Sequence, residues 1–315
     1  MRRSIVRCAT KTVSVLSVPV NLGQPFMGPD RAPELLKEHG LNALLAASGY
    51  RIIVEPDIVS TDFTAAFREG ATGEQLNARN CEEVGSVCEK IYGRVKEHAE
   101  TDNFLLILGG DHCIPIGTIP AIMSARKNTG VVWVDAHADI NIPATSGSGN
   151  MHGMPVAFLM NLVEGASTYP SMQWFKPCLN PKDLVYIGLR DLDVPEKQLI
   201  KSLGIKAFTM YDIDKIGIGK VMEQCNDYLA GRNIHLSFDI DALDPFYAPH
   251  TGTAVRGGLT FREGVFICES LAETGRMTSM ELVEVNPSLH TDINPKRTIE
   301  MGLALIGSTI GQTIL

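Results

Sequence analysis

The chain has 315 residues, 44% of them hydrophobic and 6% aromatic, and a formal net charge of −8 from 28 Lys and Arg against 36 Asp and Glu. Surplus acid gives no electrostatic basis for a nucleic-acid partner, and no apolar run approaches the roughly 18 residues that span a bilayer, so neither nucleic acid nor membrane is expected. Seven cysteines, Cys8, Cys81, Cys88, Cys113, Cys178, Cys225 and Cys268, are an odd number with no C-x-x-C pair, which argues against a disulfide framework and for a reducing compartment.

Residues 1–12 are basic, free of acids and rich in Ser and Thr. They are expected to be a disordered N-terminus ahead of a single domain over residues 13–315. A cytoplasmic location is the expectation, with a mitochondrial one open because that basic start has the composition of a transit peptide. Apolar β-rich runs then recur at Val13–Val20, Ile52–Pro56, Phe104–Leu108, Val131–Val134, Leu184–Gly188, Ile205–Met210, Ile234–Phe238 and Met280–Val285. Amphipathic helical patterns lie between them, at Glu34–Ala47, Glu196–Leu203, Lys220–Leu229, Arg262–Glu273 and Thr298–Thr313. The clearest is Val84, Val87, Cys88, Ile91 and Val95, with i, i+3, i+4, i+7 spacing in a charged segment. Alternating strands and helices, with strands apolar on both faces, predict an α/β fold: a single three-layer α-β-α domain with a mainly parallel eight-stranded sheet.

Three strand-like runs end in potential metal ligands. Leu105–Leu108 leads into Gly109-Gly-Asp-His112, Val131–Val134 into Asp135-Ala-His137-Ala-Asp139, and Ile234–Phe238 into Asp239-Ile-Asp241. Ligands at every second residue of a strand point to one face, and in parallel sheets ligands bind beyond the carboxyl ends of the strands. Two imidazoles with four carboxylates and no thiolate outline a dinuclear site that favours manganese or magnesium over a closed tetrahedral zinc. Four aspartates carry about −4, two divalent cations cancel that, and a bridging hydroxide leaves roughly −1 for a cationic substrate to neutralise. The stretch Asn141–Asn150 follows directly, has neither period, and is dense in hydroxyl, amide and glycine. It is expected to be a loop over the metals that contacts substrate. Trp133, on the strand before Asp135, is expected to be core.

Gly-Gly-Asp-His112, Asp135-Ala-His-Ala-Asp139, Ser-Gly-Asn-Met-His152-Gly, Ser-Phe-Asp239-Ile-Asp241-Ala-Leu-Asp-Pro and Glu284-Val-Asn-Pro together resemble the ureohydrolase family. The Asn150-x-His152-Gly pattern, the Gly188-Leu-Arg-Asp191-Leu-Asp193 segment and Glu284-Val-Asn286-Pro-Ser are most similar to its arginase branch. The resemblance runs from about Val13 to the end of the chain.

That resemblance implies manganese-dependent hydrolysis of L-arginine to L-ornithine and urea, with two Mn²⁺ per subunit. One would be bound by His112, Asp135, Asp139 and Asp239, the other by His137, Asp135, Asp239 and Asp241. A bridging hydroxide would attack the guanidinium carbon, with Asp139 holding its direction, Glu284 anchoring the guanidinium and His152 supplying a proton to the leaving amine. Asn141, Ser146 and Ser148 would take the α-carboxylate and Asp193 the α-ammonium, with Asp191, Glu196 and Thr253 in support. Asp191 and Asp193 have a second reading, as capping residues of a strand-to-helix turn, which ranks behind the substrate one. Ser146 stands where the family commonly has Thr, and Arg256 where small or apolar residues are usual. The resemblance also implies a homo-oligomer, a trimer or hexamer. Two other readings stand beside it: another guanidino substrate such as agmatine or guanidinobutyrate, and a catalytically silent member acting as an oligomeric partner.

Overall fold

The computed structural model describes residues 11–58, 77–289 and 294–312. The apolar runs become eight strands: β1 (Thr12–Val18), β2 (Arg51–Val54), β3 (Phe104–Gly109), β4 (Thr129–Val134), β5 (Leu184–Leu189), β6 (Lys206–Thr209), β7 (Asn233–Asp239) and β8 (Met277–Val283). They pair in one sheet in the order β2-β1-β3-β8-β7-β4-β5-β6. The expectation was a mainly parallel sheet; every described pairing is parallel.

Ten helices accompany the strands among the described residues: α1 (Ala32–Glu38), α2 (Leu41–Ala47), α3 (Cys81–Ala99), α4 (Pro115–Ala125), α5 (Pro155–Leu159), α6 (Val194–Leu203), α7 (Met210–Ile216), α8 (Ile218–Tyr228), α9 (Phe261–Glu273) and α10 (Lys296–Thr309). Alternation along each strand sorts side chains into two cores. Leu16, Val18, Leu105, Ile107 and Trp133 pack with α3, α4 and α5 on one face, while Val13, Val15, Leu106, Leu108 and Val134 pack with α1, α8, α9 and α10 on the other. This two-sided burial is why the strands read as continuous apolar runs.

Several boundaries differ from expectation for local reasons. Thr12 already belongs to β1, one residue before the expected start. The helix expected over Glu34–Ala47 is two helices, because Gly40 adopts a left-handed φ of 106° between them. Met210, expected at the end of a strand, opens α7 behind a Thr209/Asp212 capping box. Helices α4 and α5 were not expected: α4 is buried along Pro115–Ile122 and so has no polar stripe, and α5 is too short to display a period. The end of the last helical pattern, Thr313, and the N-terminal segment before Lys11 lie outside the described residues.

The strand order places the site. Between β3 and β4, which are consecutive in the chain, the late strands β8 and β7 are inserted. The carboxyl ends of β3, β8, β7 and β4 are therefore neighbours, and these four ends carry His112, Glu284, Asp239 with Asp241, and Asp135 with His137 and Asp139. A crevice beyond strand ends where the order departs from chain order is where open α/β sheets bind ligands.

Candidate active site

Each ligand segment is held by backbone bonds at the top of its strand. Asp111 N donates to Val20 O at 2.9 Å, tying the end of β3 to the segment after β1, and Glu284 N donates to Gly110 O at 2.8 Å, tying it to the end of β8. A side chain at Gly110 would run into the Val20 carbonyl, so only glycine fits there. Asp139 and Glu284 both sit at positive φ, 49° and 61°. Non-glycine residues rarely adopt that region, and such strain concentrates at functional sites. Asp139 is held there by Val156 N to Asp139 O (3.0 Å), by Ile140 N to Glu196 Oε1 (3.3 Å), and by Tyr186 Oη to the preceding Ala138 O (2.6 Å).

All six expected ligands converge. His112 Nδ1 lies 3.1 Å from Asp135 Oδ2, 3.0 Å from Asp139 Oδ2 and 3.2 Å from Asp239 Oδ2. His137 Nδ1 lies 3.4 Å from Asp135 Oδ1 and 3.1 Å from Asp241 Oδ2. His112, Asp135 and Asp139 form one group able to hold an ion, and Asp135, His137 and Asp241 form another, so Asp135 belongs to both. His112 Nε2 meets Ser237 Oγ at 2.9 Å, whereas its buried Nδ1 has no hydrogen-bond partner of acceptable geometry despite three nearby carboxylates. A neutral imidazole donating to Ser237 turns the Nδ1 lone pair toward those carboxylates. Lone pairs facing lone pairs at this range call for a shared positive charge. An octahedral cation with bonds near 2.1 Å spaces neighbouring ligand atoms about 3 Å apart, which is the spacing found.

The electrostatics point the same way. Burial disfavours a charged His112, yet Asp135, Asp139 and Asp239 together raise its pKa well above the ordinary imidazole value. His137 is raised too, burial again being outweighed by Asp241 and Asp135. Burial and the neighbouring Asp135 push Asp139 up to about 6, and Asp239 is raised well above the usual carboxylate range by burial and by Asp241 and Asp135. Perturbation of several groups by burial and by one another is characteristic of functional sites.

Around the cluster, His152 Nδ1 lies 3.1 Å from Glu284 Oε1, and that same oxygen accepts the His112 backbone N–H at 2.8 Å. Glu284 raises the His152 pKa against the opposing effect of burial. A cleft of about 180 Å³ opens over the cluster, lined by His137, Asp139, Asn141, His152, Asp191, Asp193, Glu196, Asp239 and Thr253 among others. Glu284 is buried beneath His152. Asn141 Nδ2 donates to Asp193 Oδ2 at 2.8 Å. Asp193 caps α6 and also lines the cleft, with Glu196 Oε2 accepting the Asp193 N–H at 2.9 Å. Thr253 Oγ1 donates to Asp241 Oδ2 at 2.9 Å, and Asp191 Oδ2 lies 4.0 Å from His137 Nε2. Ser146 and Ser148 are not brought to the cleft lining: their hydroxyls accept from the loop's own Gly149 and Asn150 N–H groups at 2.9 and 3.2 Å. Arg256 is exposed.

Sequence reasoning passed over several residues that touch the site. Trp133 donates to Asp135, Ser237 is hydrogen-bonded to His112, and Tyr186 braces the turn at Ala138. Arg190 binds the carbonyls of Asp241, Ala242 and Val255, joining the Asp241 turn to the loop that carries Thr253. A signal existed for two of them. Trp133 and Ser237 stand two residues before Asp135 and Asp239, and period two puts them on the ligands' face of the strand.

The sequence matches the Arginase family over residues 11–311. It is 44% identical over 317 residues to the arginase of Neurospora crassa, an alignment covering 97% of this chain and 87% of that one. The fold is similar to the arginase of Bacillus caldovelox, with a TM-score of 0.88 and 37% identity over 97% of this chain and 100% of that one. It is also similar to Entamoeba histolytica arginase in complex with L-ornithine, with a TM-score of 0.86 and 31% identity over 96% and 99% of the two chains. A parallel sheet of this order with an aspartate–imidazole cluster beyond its carboxyl ends defines the class, a hydrolase with the arginase-type α/β fold. The chain belongs to the arginase family.

Proposed function

We propose that the protein hydrolyses L-arginine to L-ornithine and urea, with two Mn²⁺ held by His112, Asp135, His137, Asp139, Asp239 and Asp241. The observation that carries this reading is the meeting of both imidazole Nδ1 atoms with aspartate oxygens at 3.0–3.4 Å around a shared Asp135. Bound there, the two cations supply Lewis acidity, bringing the pKa of a water near neutrality.

The chain's own residues do the rest. Asp139 accepts a hydrogen bond from the attacking water and fixes its direction. Glu284 anchors the guanidinium by charge-assisted hydrogen bonds. His152, held against Glu284 and with its pKa raised, passes a proton to the leaving amine. Asn141 takes the α-carboxylate, joined by Ser146 and Ser148 when the loop closes over bound substrate, since their hydroxyls accept from Gly149 and Asn150 and keep their own protons to donate; Asp193 takes the α-ammonium, and Asp191, Glu196 and Thr253 support them. The Asn141–Asp193 bond at 2.8 Å supports this division, since it holds an amide and a carboxylate side by side at the cleft. The ornithine complex of the Entamoeba relative supports an α-amino acid as the ligand.

The same reading has one domain, reaching one residue further than the expected 13–315 to include Thr12 of β1, and a cytoplasmic homotrimer or hexamer, which light scattering and cell fractionation test. The activity is tested by loading purified protein with Mn²⁺ and measuring urea release from arginine, agmatine and guanidinobutyrate side by side. Arginine is expected to be preferred. Preference for agmatine overturns the substrate, and no turnover of any of the three overturns the activity.

A further inference from the structure

The stretch Asn141–Asn150 is closed at its base, where Asn141 N donates to Gly153 O at 3.1 Å, and its tip leans on a distant part of the chain. Asn77 Nδ2 donates to Ser146 O at 2.8 Å, and Arg79 N donates to Gly149 O at 2.8 Å. The fit is close. Gly149 has a φ of 72°, and a Cβ there would lie 2.4 Å from Asn77 Oδ1. The brace is itself anchored. Ala78 is buried in the core that α3 covers, and Asn80, buried at a left-handed φ of 55° just ahead of α3, donates through Nδ2 to Leu22 O at 2.9 Å.

A loop that takes a carboxylate must offer N–H and O–H groups and keep its carbonyl oxygens, the negative ends of its peptide dipoles, turned away. Two carbonyls at this tip are turned onto the brace. In a trans peptide the C=O and the following N–H point in opposite directions, so the same two bonds turn the Gly147 and Asn150 N–H groups away from the brace. The Asn150 N–H goes to Ser148 Oγ and the Gly149 N–H to Ser146 Oγ, which leaves both serines their hydroxyl protons to donate. We infer that Asn77 is a positioning residue for substrate discrimination: by holding the Ser146 carbonyl outward, it keeps the tip of the loop a hydrogen-bond donor toward the α-carboxylate. This assignment rests on the arginine reading above, and it concerns the end of the substrate that agmatine lacks. Without the Asn77 amide the Ser146 carbonyl is free to turn inward. Affinity for a carboxylate then falls in proportion to the fraction of molecules whose loop keeps the competent arrangement.

The test is the kinetics of Mn²⁺-loaded Asn77→Ala with arginine and agmatine, with ornithine binding by calorimetry as a readout free of turnover. KM for arginine and Kd for ornithine are expected to rise about 3–10-fold, the worth of one hydrogen bond, while kcat for arginine and kcat/KM for agmatine keep their wild-type values. Gly149→Ala, which pushes a Cβ into the brace from the other side, is expected to raise the same two constants. The double variant is expected to lose no more than the larger single loss, because both substitutions break one contact. With the wild-type preference for arginine intact, unchanged constants for arginine and ornithine in Asn77→Ala, an equal fall in kcat/KM for both substrates, or a fully additive double variant overturns the assignment. A wild-type protein that prefers agmatine overturns the substrate reading and this assignment with it.

Discussion

The two ends of the sheet both gather ionic groups, and they treat them in opposite ways. At the amino end Arg126 donates to four carbonyls, Ala99 O (3.0 Å), Thr278 O (2.6 Å), Thr101 O (3.1 Å) and Asn103 O (2.7 Å), joining the end of α3 to the starts of β3 and β8. Its guanidinium is satisfied by the protein alone. At the carboxyl end His112 Nδ1 stands among three aspartates without a hydrogen bond of its own. Buried polar groups in native proteins are almost always partnered, so the unpartnered end is the one built for something the chain does not itself contain. Charge that is closed on itself holds a fold together. Charge left open binds and reacts.

Substitutions at the two ends should therefore separate stability from chemistry. The largest effect is expected from Asp135→Asn, since Asp135 serves both groups of ligands: Mn²⁺ retention and urea release should fall by more than the roughly 100-fold ceiling for losing an outer partner. Metal analysis with turnover checks this, and near-normal values for both would remove Asp135 from the ligand set. Next comes His152→Asn, expected to lower kcat by about 10²–10⁴ while leaving metal content unchanged, the loss typical of a missing proton donor. A fall in metal content instead would make His152 structural.

Arg126→Met carries the comparison to the other end. It strands several carbonyls in a half-buried place and should cost about 3 kcal/mol in denaturant unfolding, while kcat/KM of the folded fraction stays at the wild-type value. Lost activity in the folded fraction would mean the two ends are not independent. The smallest effect is expected from Asp193→Ala, which should raise KM for arginine about tenfold and leave guanidinobutyrate, which has no amino group, unaffected, with about 1 kcal/mol lost from the α6 cap. Equal KM changes for both substrates would confine Asp193 to capping.

The sequence carried the closed parts of the fold and the open parts of the site better than what lies between. Strands buried on both faces stand out as apolar runs, and ligands spaced by two at their ends stand out as aspartates and histidines. Helix α4 did not, because a segment buried all round has no amphipathic stripe to display. For Trp133 period two gave the face it shares with Asp135 but not the contact: its N–H bond to Asp135 depends on how the rings pack, which composition does not encode. Arg190 was hidden for a similar reason, since its partners are backbone carbonyls of segments about 50 and 65 residues away. Ser146 and Ser148 show the converse. Their place in the loop was legible, and the structure turns both hydroxyls onto that loop's backbone.

The measurement that tests the central claim most directly is an anomalous difference map at the manganese absorption edge from crystals of Mn²⁺-loaded protein. Two peaks are predicted, one among His112, Asp135 and Asp139 and one among Asp135, His137 and Asp241, with Asp135 touching both. A single peak, or none within this cluster, would contradict it.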